Sequence, residues 1–500
     1  MKIIFDTNIL IHIEDPKELS KSLQELMKLF REHGHQIFIH PASLKDIDND
    51  QDENRKKIIL SKLKGYPLIE SPPKPTDDFL SVVGLSSKSN EINDTEILFA
   101  IHKNAADFLI TEDYGLQKKA IRANLEDRVL SIDSALDYVK NVYARKEVQH
   151  TLLEKEFVRN LDVKDPFFDS LKEDYGDSDF TIWFKKISIQ DRKCWIYKEN
   201  DKIKALLMLK EEDEPIPTTP PIPESKRLKI ATLKVDISGS KLGELFLKMA
   251  FQFCIGNQIF EIYLTHYRKQ DDRLIPLIEE YGFERVGFLE KRNGKKEREE
   301  VYLKKLIPIG KELLSFDLAK KFYPSFNDSP SIRKFLIPII PEYHDRLFPD
   351  FKKRQMRITD YSEINVPGNA IKKAYLCNSV ITKIRPGDIL LFYRSHDQKA
   401  ITSIGVVDRE PARTHDPDNV VAIVGQRSVY NYEEIKKKAQ KTVLVLLFRH
   451  HLNLPNPPDL NYLRNHKIIK DAPQSIMELN HGQYVAIKKG GKLDERFTVS

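Results

Sequence analysis

Apolar positions in the first 145 residues follow two alternating rhythms. Short unbroken runs occur at Lys2–Phe5, Gln36–His40, Ala106–Thr111 and Arg128–Ile132. Each is bounded by polar residues and too short for a helix, so each predicts a buried strand. Between them apolar residues recur every three or four positions, as in Leu19, Leu23, Leu26, Met27 and Phe30. That spacing predicts helices with one packed face. Strand–helix alternation of this kind predicts a parallel sheet covered on both sides.

Near Phe157 the rhythm changes. Cys194–Tyr197 and Ile203–Leu209 flank the polar turn Lys198–Lys202 and predict an antiparallel hairpin. The stretch EEDEPIPTTPPIPESK, 211–226, has the composition of a linker. The strand-like LKIATLKVD follows it at once, so we read it as a long loop between two strands of one sheet. A helix is expected from Gly243 to about Phe253. Beyond Phe335 the chain is rich in strands: FLIPIIP, KAYLCNS, GDILLFYR, ITSIGVVD, VAIVG and TVLVLLF. Turn signals such as Pro386-Gly387-Asp388 separate some of them, and a small barrel is expected.

Five hundred residues exceed one core. Hydrophobic content of 40% supports packed cores and argues against wholesale disorder. The net charge of +6 permits a nucleic-acid partner without arguing for one. Cys194, Cys254 and Cys377 lie far apart and form no disulfide framework. No apolar run approaches the roughly 18 residues of a membrane span. The first residues form a strand carrying an acid, unlike a signal peptide. A cytoplasmic location with no membrane partner is expected.

Candidate chemistry begins at Asp6, just past the first strand. Ligand sites in parallel sheets form at such strand ends. Asp46 follows the second strand, Asp94 opens an apolar helix, and Asp113 follows the third strand in LITED. Four carboxylates at one edge repel one another unless cations neutralise them. Hard oxygens suit Mg²⁺ or Mn²⁺, and a pair of such ions activates water against a phosphodiester. Thr7, Asn8 and Thr111 are placed to position carboxylates or substrate. Taken singly, each acid is more readily a helix cap or turn residue. Their recurrence at strand ends is what points to a site.

FDTNIL, HPASLKDI, NDTEILFAIHKNA and DFLITED together resemble the PIN-domain ribonucleases, over residues 1–145. The resemblance implies that Asp6, Asp46, Asp94 and Asp113 are catalytic metal ligands. Asp46 departs from the commoner glutamate, and Asp48 is a rival for its role.

VDISGSKLGELFLKMAFQF, with FEIYLTH and YGFERVGF downstream, resembles a GNAT acetyltransferase over residues 150–306. It implies a mixed sheet and an acetyl-CoA pyrophosphate cradle at Ser238, Gly239, Ser240, Lys241, Leu242 and Gly243. Only the last glycine of the usual loop is in place. Ile278 occupies the position of a common catalytic tyrosine, and Tyr281 is expected to point elsewhere.

IRPGDILLFYRSHDQKAITSIGVVD resembles the PUA-like group that includes ASCH and EVE domains, over residues 330–492. It implies a β-barrel that binds RNA, with Tyr393, Arg394, Ser395, Arg427 and Tyr430 as candidate contacts. Arg449-His450-His451 reads as a solvated strand end.

The leading expectation is thus a metal-dependent endoribonuclease with an acetyl-CoA-binding part and an RNA-binding part. Resemblance to toxin nucleases implies a protein antitoxin as partner. The alternative is an N-acetyltransferase directed to RNA or protein by its flanking parts. A third reading is a scaffold without catalysis. The oligomeric state is left open.

Overall fold

The computed structural model describes residues 1–14, 19–48, 53–86, 88–143, 153–199, 201–237, 241–269, 272–289, 298–308, 315–352 and 370–500. Three large sheets follow one another along the chain, giving a mixed α/β architecture of several parts. The first contains β1 (Lys2–Phe5), β2 (Gln36–Phe38), β3 (Phe108–Ile110) and β4 (Val129–Leu130). They are parallel, in the order β2-β1-β3-β4. The second strand is shorter than the pattern predicts, because Ile39 bridges to Leu68 and Pro41 opens a helix, Pro41–Asp48. Proline is pre-set for that first helical position. From β1 the chain moves first to one side and later to the other, so the order reverses beside β1.

The second sheet is mixed. Its strands are β5 (Leu153–Phe157), β6 (Lys193–Glu199), β7 (Lys202–Glu212), β8 (Arg227–Val235), β9 (Glu261–His266), β10 (Glu284–Phe288) and β11 (Glu300–Lys305). Their order is β10-β11-β9-β8-β7-β6-β5. β6 and β7 form the expected hairpin. β7 and β8 are neighbours, so the proline stretch is a loop within this sheet, pinned by an Ile216–Ile222 bridge. Only β8 and β9 run parallel, joined through the helix Leu242–Gly256. Their ladder covers just Arg227–Lys229 against Glu261–Tyr263. Beyond it β8 continues to Val235 and β9 to His266 without pairing to each other.

The third sheet holds β13 (Lys334–Ile339), β14 (Lys372–Cys377), β15 (Ile389–Arg394), β16 (Ala400–Val407), β17 (Ala412–Thr414), β18 (Val443–Asn453) and β19 (Met477–Leu479). The order is β14-β18-β16-β15-β13-β19, with β17 on β18. The expected barrel does not close by hydrogen bonds among the described residues. Every residue of β15 and β16 is buried, the polar Arg394, Thr402 and Ser403 included, so neither strand alternates between core and solvent. A short pair, β12 (Phe326–Asn327) with β20 (Thr498–Val499), ties the chain's end beside the second sheet's exit.

The three parts share cores. Val420, Val421 and Leu447 pack in one cluster with Leu136 and Val139, and Tyr138 Oη donates to the Val421 carbonyl at 2.6 Å. Ile371 and Phe497 join the core under the second sheet. At the junction, fully buried Arg427 reaches Asp127 Oδ2 at 2.6 Å, Asp408 Oδ2 at 2.5 Å and Glu126 Oε1 at 3.4 Å. Lys372 bridges Glu126 and Glu280, and Arg449 bridges Glu280 and Asp408. Gly425 makes this approach feasible. It takes φ +49°, and a Cβ there would stand 2.7 Å from the Asp127 carbonyl oxygen.

Candidate active site

Asp6 lies where the first sheet reverses its order. Its N–H continues the ladder to Ile110 O at 3.0 Å, while its carbonyl accepts from Ile9 and Leu10 and starts the helix Thr7–Glu14. The residue therefore belongs to strand and helix at once, which fixes its side chain at the sheet edge. Asp6 Oδ1 accepts from the Thr7 N–H at 2.7 Å, and Oδ2 accepts from Thr111 Oγ1 at 2.6 Å. Thr111, fully buried just past β3, in turn accepts the Asp113 N–H at 2.9 Å. Asp113 caps the helix Tyr114–Arg122 through Leu116 N at 2.7 Å.

Asp46 sits on the helix after β2. Asn93 Nδ2 donates to its Oδ1, and Thr7 Oγ1 lies 3.5 Å from its Oδ2. Asp94 follows Asn93 on the helix Ser89–His102. Asn93 escaped the sequence reading because it resembles a capping residue; its place beside Asp94 was the available signal. Of the two rivals for the second acid, Asp46 is the one that meets Thr7 and Asn93. Asp48 instead pairs with Lys56 at 3.5 Å.

Burial and like charge act together on Asp6 and Asp94. Burial raises Asp6 to about 6 despite the hydrogen bonds from Thr111 and Thr7, and Asp113 and Asp46 push it further up. Burial lifts Asp94 to about 7, with Asp6, Asp113 and Asp46 adding to the rise against the pull of Lys119. Burial also raises Asp46, against hydrogen bonds from Asn93 and Thr7. None of the four forms an ion pair among the described residues. Lys45 is engaged with Glu96, and Lys119 donates to Glu91 O and Thr95 Oγ1.

The junction carboxylates are the opposite case. Burial alone would raise Glu280, but Lys372 and Arg449 outweigh it and hold it at about 2. Glu126 and Asp408 are likewise held far below the usual range by their cations, against burial. A raised pKa by itself does not define a site, since Asp137, away from the cluster, is also lifted to about 6 by burial. A place at the edge where the sheet order reverses, with no ion pair among the described residues, is the distinguishing feature.

Mutually repelling hard oxygens fit Mg²⁺ or Mn²⁺ in their chemistry. Their directions form no ligand sphere in this structure: among the described residues, no three His, Cys, Asp or Glu side chains converge on one metal position. Asp6, Asp46 and Asp113 turn oxygens to Thr111, Asn93 and Leu116 N instead. Asn8 Oδ1 is buried beside them and accepts no hydrogen bond from any described residue.

The expected phosphate cradle is only partly within view. Ser238, Gly239 and Ser240 lie outside the described residues. Lys241, in a left-handed turn at φ +49°, is half-buried with Nζ 3.8 Å from Asp127 Oδ1. Leu242 is core, and a Cβ on Gly243 would stand 2.7 Å from Leu277 Cδ2, so this glycine admits a neighbouring helix. Ile278 and Tyr281 are both core.

The RNA-contact candidates need correction. Tyr393 and Tyr430 are buried rings in cores, and Arg427 is the junction cation. Arg394 is held by Asp397 and Asp345 beside His344, and Ser395 Oγ donates to Ile339 O at 3.1 Å. None of Tyr393, Arg394, Arg427 or Tyr430 offers a stacking face or free cation to solvent. Arg449, His450 and His451 are buried too, not a solvated strand end. Sequence showed the residue types but not the third part packing its polar strands against the other two.

No protein-family model matches the sequence. None of the curated proteins matches it. Solved structures resemble parts of it. The ASCH protein of Zymomonas mobilis is 12% identical, covering 31% of this chain and 94% of its own at TM-score 0.24. An aminoglycoside 6'-N-acetyltransferase from Enterococcus faecium is 13% identical, covering 32% and 99% at TM-score 0.21. A GNAT-family acetyltransferase, described as putative, from Desulfovibrio desulfuricans is 9% identical, covering 31% and 97% at TM-score 0.23. Each takes in about a third of the chain, and at these scores none bears on activity. Among the described residues, no helix is long and apolar enough to cross a membrane.

Proposed function

We propose that the first part of the chain hydrolyses RNA phosphodiester bonds at the cluster Asp6, Asp46, Asp94 and Asp113. One observation carries this: burial and the neighbouring acids raise Asp6 and Asp94, and none of the four acids forms an ion pair among the described residues. Mg²⁺ or Mn²⁺ held by them would supply Lewis acidity and an acidified water. The chain's own contribution is placement. Thr111 and Thr7 fix Asp6, Asn93 fixes Asp46, and Asn8 Oδ1 is left for a ligand. Residues 1–145 form the nuclease unit in this reading, 150–306 an acetyl-CoA-binding unit, and 330–492 a unit that presents RNA. The resemblance to toxin nucleases adds a protein antitoxin as a partner that would cover the acids.

The test is labelled RNA incubated with Mn²⁺ or Mg²⁺ and the purified protein, beside Asp6→Asn. Metal-dependent cleavage by the parent alone supports the reading. Equal cleavage by the variant removes Asp6 from the site.

A second reading, acyl transfer from acetyl-CoA, is favoured by the opening between β8 and β9. Two parallel strands that part after three residues leave backbone groups and a slot for an extended ligand. Acetyl-CoA titration of the full chain, followed by calorimetry, tests it; no heat of binding rejects it.

A further inference from the structure

His266 is the last residue of β9, at the end where β9 has parted from β8. Ile262 and Leu264 pack into the core with Leu242 and Leu245 of the crossing helix. Side chains two apart share a face, so His266 follows them on the helix side of the slot. Its Nε2 lies 2.5 Å from Asp272 Oδ2. Asp272 is nearly fully buried, and its Oδ1 accepts from the backbone of Leu274 and Ile275 at 3.0 and 3.2 Å. Burial would raise this carboxyl, but the hydrogen bonds from His266, Lys269 N and Ile275 N prevail and lower it. An ionised Asp272 accepts the proton on Nε2, so in the neutral ring Nδ1 carries the lone pair. No described residue bonds Nδ1, and the side chain is 21% exposed. The surrounding charges are spoken for: Lys269 pairs with Asp174, and Glu300, opposite His266 on β11, pairs with Arg285.

We propose that His266 is the proton acceptor of an acyl transfer in the β8–β9 slot, from an acyl thioester to a primary amine, with Asp272 as its positioning residue. The inference rests on the second reading above. The amine nitrogen attacks the thioester carbonyl, the C–N bond forms and the C–S bond breaks. The proton lost by the amine passes to His266 Nδ1 and then to the departing thiolate. A base oriented by a buried carboxylate and open on its other nitrogen is the arrangement this step needs. It also supplies the proton-transfer group absent at Ile278.

The experiment uses the full chain with acetyl-CoA and three amine probes, spermidine, lysine amide and a tripeptide, reading thiol release across pH. His266→Gln is expected to lower kcat about 100-fold. It should also lose the acidic limb of the profile, and added imidazole should restore part of the rate. Asp272→Asn is expected to lower kcat by a smaller factor, with that limb displaced. A parent that turns over and a folded His266→Gln that matches its rate and profile overturn the dyad alone. A parent that neither binds acetyl-CoA nor releases thiol overturns the acyl-transfer reading, and the dyad's role with it.

Discussion

Thr111 Oγ1 donates to Asp6 Oδ2 at 2.6 Å and accepts the Asp113 N–H at 2.9 Å. One buried hydroxyl thereby sets the position of two acids from different strand ends. A hydrogen bond to a charged group contributes about 1.5–3 kcal/mol. Thr111→Val keeps the shape and removes it. The variant is expected to cleave RNA about 10–100-fold more slowly at pH 7, with partial recovery at higher pH as Asp6 ionises. A pH–rate profile identical to the parent's would refute the role.

Asp113→Asn separates charge from capping. Asparagine caps a helix as well as aspartate does, so the helix Tyr114–Arg122 and the melting temperature should hold. RNA cleavage is expected to fall at least about 100-fold, as when a group stabilising transition-state charge is lost. Unchanged cleavage in a folded variant would make Asp113 a cap and nothing more.

Asp94 makes stability depend on pH in a specified direction. Its folded pKa, about 7, lies above the ordinary 3.8. The folded state thus holds the proton more tightly, and stability declines as pH rises from about 4 through 7. Asp94→Asn should be the more stable protein at pH 8, by on the order of 1–2 kcal/mol after allowance for partial exposure. Near pH 3.5 the two should unfold alike in urea. Mn²⁺ should stabilise the parent at pH 8 and leave the variant less affected.

Arg427→Leu leaves Asp127, Asp408 and Glu126 buried near one another without their shared cation. Breaking a buried pair in this way costs about 3–5 kcal/mol. Urea unfolding at pH 7 measures it, and a loss below about 1 kcal/mol would mean the junction is loosely held.

Lys241→Glu puts an anion beside Asp127. We expect weaker acetyl-CoA binding and a lower unfolding midpoint together. Lys241→Met adds no anion beside Asp127 and should lower the midpoint less than Lys241→Glu does. Unchanged affinity would remove Lys241 from the ligand site.

Periodicity revealed most of the strands because burial dictates it. β1 appears at its full length in the sequence pattern, and the β6–β7 hairpin follows from its polar turn. Asp6 and Asp113 were legible because strand ends and helix starts are local features. The junction was not. Arg427 read as a nucleic-acid contact and Arg449 as part of a solvated strand end, since nothing local to them announces Glu126, Asp127 or Glu280 from distant segments. Lys373 and Lys304 are further cases: burial drives both well below the usual lysine range. His266 was passed over because its partner lies in a loop whose geometry only the fold defines.

Arg427 also determines how the molecule can be divided. Severed before the second sheet, the chain would yield one piece displaying Glu126 and Asp127 and another displaying Lys241, Lys372, Arg409 and Arg427. Such fragments carry opposite charge on matching faces, flanked by the apolar surfaces of Tyr138 and Val421. They are complementary halves of a split protein, whose reassembly would be driven by attraction at low salt and hindered at high salt.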